Sequence, residues 1–383
     1  MAAITAGELT FETIASESSF APLEAEWDAL VRSRARPSPF LLHRWLRQWW
    51  RQYGEGGELA VHVARRDGRL VGALPLCVRP KYHLRVLSFV GGDEATLADL
   101  VVADDEPPDT AAALAGRAAA SAHDFADLAG LPADSRLVSQ LTPSELTLIE
   151  RSEAPVLDLT AGWDEVYQSK LSAKKRNHYR RRRRQLSELG RVDVDVARTA
   201  EELEQALEDA FALHVLRWQG RPDGSGFATS AGRRFHRATA RALAPLDVPR
   251  IVTLKIDGRA VAFHYYLALE GRMYVYRIAF DPSFGRLSPG AVNTLDAIEI
   301  AAAEGATKVE FLGGAERYKL ELADHLEPLY EGFGLARTLR GRVAVAGRMS
   351  GIRARKLLKR SSTLRRIYFE GLAPARRFLA RVS

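Results

Sequence analysis

Residues 251–269 read IVTLKIDGRAVAFHYYLAL, an apolar run, then Asp257-Gly258, then a second apolar run. Asp-Gly between two β-rich runs is the strong short-range signal for a tight hairpin, because both central positions of that turn need positive φ. The pattern recurs at residues 59–79, LAVHVARRDGRLVGALPLCVR, around Asp67-Gly68. Both copies continue as Asp-Gly-Arg-x-Val, and they stand about half a chain apart. Two domains built on one plan are therefore expected, at residues 1–154 and 155–336.

Past the second hairpin, Glu270-Gly271 turns the chain into MYVYRIAFDP (273–282), an aromatic-rich strand ended by Asp-Pro. The loop FGRLSPG (284–290) follows. AVNTLDAIEIAAAEG (291–305) then places apolar residues at 292, 295, 298 and 302, which is helical spacing. Ser288 suits the N-cap, Pro289 the first helical position and Gly305 the stop. TKVEFLGG (307–314) reads as a strand. Upstream, FLLHRWLRQWWRQYG (40–54) is a helix with an aromatic face, followed by strands at 59–66, 69–79, 85–90 and about 99–103. A helix is predicted over 108–122. The block 155–190 reads as a strand and one long helix, capped by Thr160 and stopped at Gly190, with a further helix at 199–217.

With 383 residues, 46% hydrophobic and 27% charged, the composition is that of an ordinary globular protein. The net charge of +7 hides a split. Residues 337–383 carry +13 and residues 170–184 carry +9, leaving −15 on the remainder. A single cysteine, Cys77, excludes a disulfide framework and cysteine-based metal sites, and no metal is expected. No run of about 18 apolar residues predicts a spanning helix. The first residues lack the features of a secretory signal, so a cytoplasmic location is expected.

The loop at 284–290 is the best chemical signal. A strand feeding a glycine-containing loop that opens a helix presents free N–H groups and the positive end of the helix dipole, which suits a pyrophosphate. It is neither a Walker loop nor GxGxxG. In strand parity, a two-residue turn at Glu270-Gly271 sets His264 opposite Arg277 and Tyr266 opposite Val275. An adjacent arginine lowers the pKa of His264 and leaves a neutral imidazole that can accept a proton from an amine. The pattern also fits Arg277 paired with an acid and His264 packed in the sheet. Tyr318 and Lys319 follow a glycine-rich strand end, where Tyr318 can protonate a leaving thiolate and Lys319 hold a phosphate or carboxylate. Glu310 alternates with apolar neighbours and reads as a surface strand residue or a second base.

FDPSFGRLSPGAVNTLDAIEIAAAEGATKVEFLGGAERYK (280–319) resembles the C-terminal core of bacterial GNAT-fold acyltransferases of the CelD-like, cellulose-biosynthesis type. The shared features are Asp281-Pro282, Ser288-Pro289-Gly290 and the Gly314-to-Lys319 stretch. LSAKKRNHYRRRRRQLSELG (171–190) and PFLLHRWLRQWW near the start are similar to stretches of the same family. The wider Fem-like group carries two such domains in tandem. The resemblance implies an α/β fold of two tandem GNAT-like domains, with mainly antiparallel mixed sheets flanked by helices, followed by a basic helical tail at 337–383. It implies acyl transfer from acetyl- or acyl-coenzyme A, with the pyrophosphate on Gly285, Arg286, Leu287, Ser288, Pro289 and Gly290. The chain keeps only Gly285 and Gly290 of the common Gln/Arg-x-x-Gly-x-Gly/Ala pattern. The implied acceptor is an amine or hydroxyl of an envelope sugar or lipid base. The tail interleaves Ile352, Leu357, Leu358 and later apolar residues with cations, as interfacial helices do, and is expected to meet an anionic membrane surface. The alternatives are an aminoacyl-tRNA-dependent transferase, with 170–184 as the RNA contact, and a non-catalytic scaffold for an anionic polymer. No RNA-binding aromatic motif accompanies the basic block, so nucleic acid is not the expected partner.

Overall fold

The computed structural model describes residues 8–81, 83–218, 226–314 and 316–360. The strands are β1 (Leu9–Ile14), β2 (Glu58–Arg66), β3 (Arg69–Lys81), β4 (Leu84–Phe89), β5 (Val101–Val102), β6 (Phe125–Leu131) and β7 (Leu146–Asp158). They continue as β8 (Val192–Ala197), β9 (Pro249–Ile256), β10 (Arg259–Leu269), β11 (Arg272–Phe280), β12 (Lys308–Glu310) and β13 (His325–Gly334). The first helices are α1 (Glu17–Phe20), α2 (Glu24–Arg32), α3 (His43–Tyr53), α4 (Pro108–Ala120), α5 (Trp163–Lys170) and α6 (Ala173–Ser187). After them come α7 (Ala200–Trp218), α8 (Ser230–Leu243), α9 (Pro289–Ala303), α10 (Arg317–Leu322) and α11 (Leu339–Arg360).

All thirteen strands form one sheet in the order β1-β2-β3-β4-β6-β13-β7-β12-β11-β10-β9-β8, with β5 beside β3. Read from either edge, the order repeats one plan: a strand, an Asp-Gly hairpin, a third antiparallel strand, a crossover helix and a parallel strand. β4 and β6 are the parallel pair of the first half, β11 and β12 that of the second. The middle is exchanged. β7 runs beside β12 of the second half, and β13 returns beside β6 of the first. The boundary expected at 154–155 falls inside β7, so each half completes the other's sheet.

Both Asp-Gly turns match the sequence reading. Asp67 and Gly68 have φ of 52° and 81°, Asp257 and Gly258 of 47° and 78°. Each hairpin then bulges at the valine of its motif, between Ala64/Arg65 opposite Val71 and between Ala260/Ala262 at Val261. The valine carbonyls accept parallel bonds, from Ala103 N–H (3.0 Å) and Asp281 N–H (2.9 Å).

One face of the sheet carries a core shared by both halves. Trp45 of α3 meets Phe235 of α8 edge-on at 5.4 Å and Tyr276 of β11 at 5.4 Å. On the other face α9 buries Val292, Ala297, Ile298 and Ala301 against β9, β10 and β11. The long helix expected between Thr160 and Gly190 is two helices. Thr160 does not cap the first, because it is turned to Asp158, to which its N–H donates at 2.8 Å. The chain breaks at Leu171, and Ser172 caps α6 by accepting from the Lys175 N–H. The strand expected at 307–314 stops at Glu310, because Leu312 adopts φ 55° and Gly314 φ 105°.

α11 begins where the basic tail was expected. Its first turn is docked on β6: the Gly341 N–H donates to Thr338 Oγ at 3.0 Å, and a side chain at Gly341 would strike the Asp124 carbonyl. Leu339 and Val343 stand exposed. Residues 361–383 of the tail lie outside the described residues.

Candidate active site

β11 and β12 pair only at Arg272–Lys308, Met273–Val309 and Tyr274–Glu310. Beyond that point β11 runs on to Phe280, while β12 ends and the chain leaves through Gly313-Gly314. β11 also bulges here. Tyr265 of β10 pairs with Arg277 and Tyr266 with Val275, so Tyr276 is the extra residue. A bulge re-aims side chains and ends regular pairing, and here it opens the sheet between two parallel strands.

The opening leads to the expected anion turn. Asp281 accepts from Ser283 N–H (2.9 Å) and Oγ (2.7 Å), starting the 3-10 turn Pro282–Leu287. Ser288 closes it at φ 53°. Its side chain makes no cap bond, contrary to expectation, because the left-handed backbone turns it away; its carbonyl instead accepts from Ala291 and Val292. Pro289 begins α9. Gly290 is required by space, since a Cβ there would meet the Phe280 ring at 2.8 Å. Arg286 is exposed at the turn. α6 lies against this turn and α9. Arg183 pairs with Asp296 of α9, and Lys175 with Glu321 of α10 at 3.1 Å. Burial pushes the Asp296 carboxyl up to about 6, with Arg183 opposing it. Among the described residues only Lys175 and Arg183 of α6 form ion pairs, and Lys174, Arg181 and Arg184 stand exposed on its outer face.

The remaining expected residues separate. The His264–Arg277 pairing is corrected by the bulge: His264 lies opposite Ile278, and Arg277 opposite Tyr265. His264 is fully buried and neither ring nitrogen has a partner. Burial, with a smaller contribution from Lys319, drives its pKa down to about 3, so it is neutral. The direction agrees with the sequence reading, but the cause is desolvation rather than Arg277. Lys319 is buried, donating to the Gly313 carbonyl (3.2 Å) and pairing with Glu316 (2.8 Å). The Tyr318 hydroxyl is buried without a partner, and burial raises its pKa, keeping it protonated. Glu310 is not a surface residue. It is 1% exposed and clamped by Arg36 of the first half (2.8 Å) and Arg272 (2.7 Å), a tie that strand alternation does not reveal.

Arg277 points to the face shared by the halves, where it meets a residue the sequence reading passed over. Glu94, from the 3-10 turn Gly92–Glu94 after β4, accepts from the Tyr276 hydroxyl (2.9 Å) and from Arg277 (3.0 Å) through one oxygen, Oε2. Buried His236 of α8 stands 3.7 Å from the same oxygen. The signal was present: Gly91-Gly92-Asp93-Glu94 follows β4 as the 281–288 turn follows β11, so aligning the two repeats would have found it.

Residues 173–320 match the family model described as an acetyltransferase (GNAT) domain. This GNAT domain indicates a transferase enzyme. No curated protein matches the chain. The structure titled FemX is similar at 13% identity, covering 84% of this chain and 96% of that one, with a TM-score of 0.59. A conserved protein of unknown function from Bacteroides thetaiotaomicron VPI-5482 gives 15% identity, coverage of 84% and 99%, and a TM-score of 0.56. The C-terminal domain of a putative lysylphosphatidylglycerol synthetase from Agrobacterium fabrum gives 12%, 85% and 96%, and 0.52. At such identities the likeness is one of fold.

Proposed function

We propose that the chain moves an acyl group from an acyl-coenzyme A thioester to an amine of an envelope sugar or lipid base. The observation that carries this reading is the opening between β11 and β12, which runs into the Gly290 turn at the start of α9. The 285–290 turn, with exposed Arg286, would hold the pyrophosphate, since the first N–H groups of α9 and the positive end of its dipole lie there. The thioester arm would enter the opening, where the strands leave backbone unpaired. The amine nitrogen attacks the thioester carbonyl; a C–N bond forms, the C–S bond breaks, and the thiolate leaves with a proton. Tyr318, protonated and without a partner, suits that proton. Asp281-Pro282 and Ser288-Pro289-Gly290, the features of the CelD-like resemblance, all lie at this turn and support the reading.

A thermal-shift titration tests it. Acetyl- or palmitoyl-coenzyme A should stabilise the protein, by about 2.7 kcal/mol at a hundredfold excess over Kd. Gly290→Asp, which places a carboxylate against the Phe280 ring and the pyrophosphate, should lose that shift, and Arg286→Glu, at an exposed position that disturbs no packing, should weaken it with the fold kept by circular dichroism. No shift with either ester would overturn the reading. The second reading is an aminoacyl-tRNA-dependent transfer, favoured by the unpaired cations of α6 and the FemX-like fold; stabilisation by tRNA alone would select it. The tail is proposed to seat the protein on anionic lipid. Deleting 340–383 should abolish co-sedimentation with phosphatidylglycerol vesicles.

A further inference from the structure

We propose that Glu94, supplied by the first half, receives the acceptor's ammonium at the second half's opening and takes its proton. This rests on the acyl-transfer reading above and adds the acceptor's class, a basic primary amine, and the group that activates it. Three observations carry it. Glu94 reaches Tyr276, the bulged residue of β11, just past the last pairing with β12, at the mouth of the opening. Both donors bind Oε2; among the described residues Oε1 accepts no hydrogen bond, and it lies against Gly226, where an added Cβ would meet it at 2.5 Å. The surroundings hold unused polar groups: both ring nitrogens of His236, which is fully buried, and the Arg277 Nε.

The groups facing Glu94 fit the task. Tyr276 and Arg277 come from β11, His236 from α8 and Tyr53 from α3. The Tyr53 phenol is pushed up to about 12 by burial, with the Glu94 charge adding to the effect. His236 is driven well down by burial and by Arg277, and is neutral. Arg277 therefore stands as the cation beside an arriving ammonium and lowers its pKa. The proton passes to Glu94 Oε1, the freed lone pair attacks the thioester carbonyl, and the C–S bond breaks to release the thiol. A hydroxyl acceptor brings no such charge. Tyr276 and Arg277 are positioning residues, fixing Oε2 and leaving Oε1 to take the proton.

The test follows thiol release from acetyl-coenzyme A with ethanolamine or sphinganine, amines protonated near pH 7, and with hydroxylamine, which is not. Glu94→Gln should lower the rate with the two basic amines by about 10²–10⁴-fold, the usual contribution of a general base. It should leave hydroxylamine within a few-fold of wild type, and Glu94→Asp should recover part of the loss. Calorimetry of coenzyme A binding is run first: a wild type that does not bind it defeats the donor reading, and Glu94→Gln should bind as wild type. Equal loss with all three nucleophiles, no loss, or a coenzyme-binding wild type that accepts neither basic amine would overturn the proposal.

Discussion

The two halves share a strand plan and differ at the end of the third strand. In the first half β4 ends in Gly91-Gly92, with φ of 117° and 48°, and the short turn Gly92–Glu94; no helix begins there, and α4 starts only at Pro108. In the second half β11 ends in the turn Pro282–Leu287, and α9 begins at once with Pro289. Only the second arrangement aims a helix N-terminus at its sheet opening. The first half has an opening too, a cavity of about 260 Å³ between β4 and β6, lined by Arg79, Lys81, Gly92, Asp93 and Asp127. It lacks an adjoining helix, and its turn instead lends Glu94 to the other half. The two halves thus share the scaffold while their turns differ: one opens α9, and the other carries Glu94 to Tyr276 and Arg277 of the second half.

The largest expected contrast lies at the parallel pairs themselves. Glu310 closes the β11–β12 pairing and is buried between Arg36 and Arg272. Asp127 follows the β4–β6 pairing and among the described residues pairs only with Lys81, at 3.0 Å, whose side chain is half in solvent. Removing one partner of a buried ion network costs about 3–5 kcal/mol, because the others keep their desolvation penalty. An exposed pair is worth about 0–1 kcal/mol. Denaturant unfolding should therefore show Glu310→Gln several kcal/mol less stable than wild type, and Asp127→Asn within about 1 kcal/mol of it. Similar losses would mean that the halves are tied equally at both openings.

Acid should separate the halves next. Each half buries a histidine in its hairpin: His62 on β2, driven down to about 4 by burial and Arg117, and His264 on β10, driven down to about 3. Unfolded, both titrate near 6.5. Below that pH the unfolded chain binds more protons than the folded one, so stability is fully present above pH 6.5 and falls as pH drops toward the folded values. The slope is at most about 1.4 kcal/mol per pH unit for each ring. His62 is bonded on both nitrogens, to Thr13 (2.9 Å) and Ser121 (3.0 Å), whereas His264 is bonded on neither. His264→Leu should flatten the acid limb between pH 6.5 and 4 at little cost at pH 7. His62→Leu should flatten it too, but lose about 1 kcal/mol at pH 7 with its two hydrogen bonds, since Thr13 is exposed and Ser121 keeps its bond to the Arg117 carbonyl.

The repeat was legible because an Asp-Gly turn is a local event, fixed by φ at two residues. The α9 helix and its glycine loop were legible for the same reason. What escaped was long-range. Strand parity placed Tyr266 opposite Val275 correctly, then failed at Tyr276, since a bulge is decided by what the strand must open for and leaves no mark in alternation. The burial of Glu310 depends on Arg36, which is 274 residues away in sequence. Glu94 bonds to the half it does not belong to, and the exchange of β7 and β13 that brings the halves together has no sequence signature.

The smallest effect tests how far the duplication extends into detail. Each turn aspartate also latches the residue before its half's first strand. Asp67 Oδ1 accepts from the Glu8 N–H at 3.0 Å, and the Asp67 N–H donates to the Glu8 carbonyl at 3.1 Å. Asp257 Oδ1 accepts from the Arg191 N–H at 2.8 Å, and its N–H donates to the Arg191 carbonyl at 2.9 Å. The motif therefore makes the hairpin and pins an edge strand beside it. Asp67→Asn and Asp257→Asn keep the positive φ and an acceptor oxygen, so each should change stability by only a few tenths of a kcal/mol. Asp→Ala removes the acceptor and sets a methyl side chain at a positive φ, and should cost about 1–2 kcal/mol at either turn. Hydrogen exchange should then show faster opening of β1 in Asp67→Ala and of β8 in Asp257→Ala, each leaving the other strand protected. Loss of both strands from one substitution would show that the edges are coupled through the shared sheet rather than held separately by each half.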